Sequence, residues 1–138
     1  MRLLDILHDI KYEILLGKDR EIKNLTIDSR QTNNGSMFFC IRGLHVDGHD
    51  FIKDAIINGA SCIVIDNDKP EYLNENIKKL DKYTKSLTII KVPNVRKALA
   101  FCSANFFKNP SSKIILTGIT GTNGKTSTTY FLEAILRE

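Results

Sequence analysis

The stretch Ile114-Ile115-Leu116-Thr117-Gly118-Ile119-Thr120-Gly121-Thr122-Asn123-Gly124-Lys125-Thr126-Ser127 constrains the fold of this chain more than any other. An apolar triplet passes into a glycine-rich loop ending in Gly-Lys-Thr, and residues 126–137 have the composition of a helix. This order predicts a short buried strand, a phosphate-binding loop and a helix. Gly121 and Gly124 permit positive φ, so backbone N–H groups can converge on an anion. Lys125 supplies a mobile charge for the outer phosphates, and the Thr126 hydroxyl is a candidate ligand for the Mg²⁺ that bridges them. The generic pattern places glycine four residues before Gly-Lys, where this chain has Ile119; Gly118 stands one residue earlier. A tight Asn123-Gly124 turn followed by a surface lysine would account for two residues of the run, but not for its strand-loop-helix setting.

The loop lies close to the end of the 138 residues. A phosphate-loop strand belongs in a parallel sheet covered on both faces, and each parallel neighbour needs a crossover of roughly a dozen residues or more. The expectation is therefore one complete domain, residues 1–109, followed at 110–138 by the opening strand, loop and helix of a second, truncated one. The segment Asn109-Pro110-Ser111-Ser112 is the predicted boundary.

Residues 3, 4, 6, 7 and 10 repeat with helical spacing, and residues 12–17 read as a strand. Ile22, Leu25 and Ile27 alternate into Asp28-Ser29-Arg30, which alone reads as a strand exit with a local ion pair. Thr32-Asn33-Asn34-Gly35 is a turn, 37–41 an apolar strand, and Gly43-Leu44-His45-Val46-Asp47-Gly48 a loop. Asp50 is a candidate cap for a helix with Phe51, Ile52, Ala55 and Ile56 on its apolar face, stopped at Asn58-Gly59. Residues 61–65 and 87–92 read as strands, and Asn94 caps a helix carrying Val95, Leu99, Phe101, Cys102 and Phe106. The lysine-rich stretch 70–86 reads as a surface helix or insertion without a role. One core is expected from Phe38, Phe39, Phe51, Ile56, Ile63, Val64, Ile89 and Leu99.

The charge balance, 20 Lys and Arg against 16 Asp and Glu, suits anionic small ligands. Its lysines alternate with acids instead of clustering with aromatics, so nucleic acid is not an expected partner. Cys40, Cys62 and Cys102 are far apart among apolar neighbours and read as reduced core thiols. The N-terminal apolar residues are broken by Asp5, His8 and Asp9, giving neither a signal peptide nor a membrane span, and a reducing cytoplasm is the expected compartment. The sequon Asn24-Leu25-Thr26 is then accidental. His45, Asp47, His49 and Asp50 contain no three metal ligands at a known spacing.

Two stretches together resemble a known family. The loop Thr117-Gly118-Ile119-Thr120-Gly121-Thr122-Asn123-Gly124-Lys125-Thr126 resembles the ATP loop of the Mur ligases and their folylpolyglutamate synthetase relatives, in which the early glycine is usual. The succession Asp-Ser-Arg, glycine turn, Phe-Phe strand and Gly-x-x-x-Asp-Gly-His-Asp-Phe-Ile over residues 22–60 resembles the N-terminal domain of Mur ligases that accept amino-acid-bearing UDP-muramoyl substrates. The resemblance implies an α/β fold: a small mixed-sheet domain binding the UDP-substrate, then the first strand, phosphate loop and helix of a parallel-sheet ATPase domain. It implies an ATP- and Mg²⁺-dependent ligase, acting as a monomer, that adds a diamino acid to UDP-N-acetylmuramoyl-L-alanyl-D-glutamate through an acyl phosphate. It further implies that Ile27, Ser29, Leu44, His45 and Val46 contact the uridine end of the substrate. Gly121, Thr122, Asn123, Gly124, Lys125, Thr126 and Ser127 would bind ATP, with Lys125 catalytic and Thr126 a metal ligand. The Thr122-Asn123-Gly124 core argues against the dipeptide-adding subtype. An unrelated phosphate-loop NTPase or kinase and a stand-alone UDP-muramoyl-binding module remain open. Within the chain nothing selects lysine over diaminopimelate, and the chain alone is expected to be inactive.

Overall fold

The computed structural model of this protein describes residues 1–66 and 86–137. Two compact units, Met1–Lys108 and Asn109–Glu138, divide it. The first contains α1 (Leu3–Ile6), β1 (Glu13–Leu16), β2 (Asn24–Thr26), a 3₁₀ turn (Ser29–Gln31) and β3 (Ser36–Phe39). A second 3₁₀ turn (Gly48–Phe51) then leads into α2 (Ile52–Ile57), followed by β4 (Cys62–Ile65), β5 (Thr88–Lys91) and α3 (Val95–Phe106). Among the described residues, the five strands form one mixed sheet in the order β1-β5-β4-β3-β2. Strands β2 to β5 are parallel and β1 is antiparallel to β5, the mixed α/β arrangement expected from the alternating elements.

The strands are short, almost wholly apolar runs because both faces of the sheet are covered. Thr26, Phe38, Ile63 and Ile89 lie in register across four strands and, from Phe38 onward, face one side. There Phe38, Ile63 and Ile89 pack with Ile52, Ala55 and Ile56 of α2. Neighbouring rows, with Met37 beside Cys62 and Phe39 beside Val64 and Ile90, face the other side. They pack with Leu3 and Ile6 of α1 and with Val95, Ala98 and Cys102 of α3. One expected core is thus two, separated by the sheet, because successive strand side chains alternate between its faces. Leu99 is only partly buried against the second of these clusters, and Phe51 is 37% exposed.

Local signals decide the ends of the helices. Asn94 caps α3 by accepting a hydrogen bond from Lys97 N at 2.9 Å, as its position predicts. Asp50 does not cap α2. Asp47 accepts from His49 N at 3.0 Å and caps the 3₁₀ turn, because that turn begins two residues before Asp50 and takes Asp50 into its body. The buried Thr88 hydroxyl donates to Lys18 O at 2.6 Å and accepts from Arg20 Nε at 2.7 Å, so this buried polar side chain of β5 is satisfied. All three cysteines are buried free thiols. Burial, the leading cause in each case, pushes Cys40 well above the ordinary thiol range and Cys102 up to about 12. The lysine-rich stretch read as a surface helix lies, apart from Ser86, outside the described residues.

The second unit carries a 3₁₀ turn (Pro110–Lys113), extended chain and α4 (Lys125–Leu136). The helix is as expected; the strand is not. Ile114, Ile115 and Leu116 pair with no strand among the described residues, and Ile115 is 100% exposed. A strand needs neighbours for its backbone groups, and this unit contains none.

Phe38→Ala should lower the unfolding free energy of the first unit by about 3–5 kcal/mol, since it opens a cavity beneath α2. Phe51→Ala should cost no more than about 1 kcal/mol. Urea unfolding followed by circular dichroism distinguishes them; equal losses would place Phe51 back in the core.

Candidate functional site

The parallel strands direct the segments that follow β2, β3, β4 and β5 toward one end of the sheet. In open α/β sheets ligands bind beyond this end. After β2 the chain turns at once into Asp28, whose side chain caps the 3₁₀ turn by accepting from Arg30 N at 3.0 Å. This tight crossover leaves Ile27 exposed and Ser29 buried beside α2. Asn58, at the end of α2, donates to Ser29 O at 2.9 Å. Ile27, Asp28, Ser29, Arg30, Phe51 and Asp54 line an open cleft of about 570 Å³. The exposed apolar Ile27 and Phe51 suit a planar or apolar ligand group, while Ser29, Arg30 and Asp54 provide polar contacts.

Leu44, His45 and Val46 do not line that cleft. They occupy the tip of a loop following β3, the strand adjacent to β2. The loop closes on itself, with Gly43 N donating to Val46 O at 2.8 Å and Gly48 N to Ile41 O at 2.9 Å. Leu44 is 98% exposed and Val46 is also exposed. Five predicted substrate contacts therefore fall into two groups on adjacent loops at the same end of the sheet. Phe51 and Asp54 were not foreseen as site residues: Phe51 reads as core in sequence, and Asp54 looks like any exposed helix carboxylate.

In the second unit Gly124 adopts φ +77° as the residue before α4, a left-handed conformation that favours glycine. A Cβ built there meets nothing within 4 Å, so the space in front of the helix terminus is open. Lys125 Nζ donates to Gly121 O at 2.6 Å, which folds the lysine across the loop formed by Thr122 and Asn123. The first-turn amides of Thr126 and Ser127 have no partner inside the helix, as at any helix start. An open helix terminus with a lysine across the loop fits a nucleotide phosphate, and the Thr126 hydroxyl in the first turn is of a type that can ligate Mg²⁺. Among the described residues there is no cluster of three or more His, Cys, Asp or Glu that could hold a metal, and no helix long and apolar enough to cross a membrane.

Asp28 is the most perturbed carboxylate of the cleft. Hydrogen bonds from the Arg30 guanidinium, 2.9 Å to Oδ1 and 2.8 Å to Oδ2, lower its pKa to about 2, assisted by the Arg30 amide. Its charge fixes the Arg30 side chain at the rim of the cleft.

The family model "Mur ligase family, catalytic domain" matches residues 21–107. A UDP-N-acetylmuramoyl-L-alanyl-D-glutamate--2,6-diaminopimelate ligase of Clostridium acetobutylicum is 44% identical over 99% of this chain and 26% of its own length. The ligase of that name from Clostridium tetani is 42% identical over 100% of this chain and 27% of its own. A UDP-N-acetylmuramyl-tripeptide synthetase 2 of Oceanobacillus iheyensis is 34% identical, again over 100% of this chain and 26% of its own length. The chain spans about a quarter of the length of these curated relatives. Among solved structures, a UDP-N-acetylmuramoylalanyl-D-glutamyl-2,6-diaminopimelate--D-alanyl-D-alanyl ligase from Acinetobacter baumannii superposes with a TM-score of 0.60. It covers 97% of this chain and 27% of the other at 20% identity, a likeness of fold.

With a folded-state pKa held below the unfolded value, the Asp28 interaction is fully present above the ordinary carboxylate range and is lost as pH falls through about 2. Arg30→Ala should move the Asp28 midpoint from about 2 back toward the ordinary 3.8, read by carboxyl-carbon NMR titration. An unchanged midpoint would assign the shift to the backbone amide alone.

Proposed function

Because the chain belongs to the Mur ligase family, we propose that it forms the UDP-substrate-binding domain and ATP loop of a ligase that adds diaminopimelate to UDP-N-acetylmuramoyl-L-alanyl-D-glutamate. The observation that carries this reading is that likeness to ligases named for that reaction runs through both the cleft and the loop. The choice of diaminopimelate over lysine rests on those names. Mg²⁺-ATP, when bound, supplies the phosphoryl group that activates a carboxylate toward an amine.

The protein's residues divide the work. In residues 1–109, Ile27 and Ser29 hold the uridine end from one loop, and the backbone of Leu44, His45 and Val46 holds it from the next. The Ser29 hydroxyl has no hydrogen-bond partner among the described residues, which suits a role toward a ligand. In residues 110–138, the amides of Gly121, Thr122, Asn123 and Gly124 and the start of α4 bind phosphate. Lys125 neutralises charge on the outer phosphates, the Thr126 hydroxyl ligates the metal, and Ser127 completes the first helical turn. The buried free thiols are consistent with a reducing cytoplasm, where the ligase acts as a monomer.

NMR titration of the chain with UDP-N-acetylmuramoyl-L-alanyl-D-glutamate should shift the amides of Ile27, Ser29, Leu44, His45 and Val46. Their silence at millimolar ligand would overturn the reading. Ser29→Ala should weaken that binding about tenfold, the worth of one hydrogen bond left unmade. In the full-length ligase Lys125→Ala should lower turnover about a hundredfold or more, as loss of a preorganised charge does elsewhere, and near-normal turnover would refute its assigned role.

A further inference from the structure

The loop of residues 42–48 has an exposed apolar tip, so nothing at the tip fixes its direction. Its orientation must be set at its base. There His49, whose side chain is 7% exposed, makes the central contacts. Its Nδ1 lies 2.6 Å from Asp47 Oδ1, the oxygen that also accepts from His49 N. A carboxylate only accepts, so Nδ1 carries a proton and donates it in a charge-assisted bond. The other Asp47 oxygen is 3.3 Å from Arg42 Nε, joining the two legs of the loop.

The opposite ring nitrogen faces away from the loop. Nε2 lies 3.7 Å from Asp66 Oδ1, at the end of β4, and both atoms are buried without a hydrogen-bond partner. Asp66 Oδ2 accepts from Val95 N, the first residue of α3, at 3.3 Å. The next residue, Arg96, donates to Arg42 O at 2.7 Å and so returns to the base of the loop. Hydrogen bonds and ion pairs thus run from Asp66 through the head of α3 to Arg42, Asp47 and His49, and the His49 ring packs back against Asp66 at 3.7 Å without a hydrogen bond. Gly48 belongs to the same joint, because a Cβ there would stand 2.6 Å from Ile41 N; the loop's return leg rests directly on backbone.

We propose that His49 is a positioning residue for substrate binding: its buried imidazole braces the loop carrying Leu44, His45 and Val46 through Asp47, with its other edge packed against Asp66 at the end of β4. This rests on the reading that the loop holds the uridine end of the substrate. His49 itself touches no ligand. It restricts the directions the tip can take, so the tip's backbone groups are presented without the entropy cost of ordering them on binding.

The test compares wild type with His49→Leu, which removes both ring contacts, and His49→Asn, whose amide nitrogen can replace Nδ1 toward Asp47. The first readout is amide hydrogen exchange of residues 43–46 in the ligand-free chain. His49→Leu should raise it about tenfold, the worth of one charge-assisted hydrogen bond, while Phe38 and Ile63 in the sheet keep their protection. The second readout is affinity for UDP-N-acetylmuramoyl-L-alanyl-D-glutamate, expected to fall by a similar factor in His49→Leu and to recover largely in His49→Asn. Unchanged loop exchange, or a loss shared equally by loop and sheet, would overturn the proposal. If wild type does not bind the UDP compound, the functional reading fails, and the exchange data still decide the role of His49. Should His49→Leu not fold, Asp47→Ala removes the Nδ1 bond, and normal exchange of residues 43–46 in that variant would likewise overturn the proposal.

Discussion

The lateral pairing of β3, β4 and β5, with side chains buried on both faces, is the constraint on which the rest of the first unit depends. Each of these strands is only four residues long, so none could persist without its neighbours. Because the pairing is parallel, each chain return must cross the sheet, and the loops that leave the strands gather at one end. The cleft beside Ser29 and the loop around His45 are by-products of that geometry.

Much of this was legible in the residues themselves. Apolar runs bounded by turn residues located β3, β4 and β5 to within a residue or two, and Asn94 announced the start of α3. What escaped was three-dimensional. Phe38 and Phe39 are adjacent in sequence and equally apolar, yet they sit in different clusters on opposite sides of the sheet. Phe51 looks like a core residue because its hydrophobicity is visible and its direction is not; it stands at the junction of two helical turns and faces the cleft. Asp47 and Asp50 are both plausible caps, and only the onset of the 3₁₀ turn chooses between them. The approach of His49 to Asp66 brings a 3₁₀ turn against the end of β4, a relation no local pattern encodes.

The segment 114–116, apolar enough for a strand, stays unpaired among the described residues, as a strand needing neighbours on both sides must. Its composition is right for a buried strand, but a strand is a relation between segments, and α4 and the phosphate loop offer no partner. The loop itself is different: Gly124 is left-handed and Lys125 folds back on Gly121 with only local contacts. Local backbone chemistry is therefore sufficient to shape the phosphate loop, whereas the strand before it is not self-sufficient.

The three buried thiols give the molecule an unplanned property. Nucleophilic sulfur chemistry requires the thiolate, and burial suppresses that form at Cys40 and Cys102. Cys40 belongs to the cluster under α2, while Cys62 and Cys102 belong to the cluster under α1 and α3. Each side of the sheet thus holds its own silent chemical reporter, and the order in which a thiol reagent modifies them records which side of the protein breathes first.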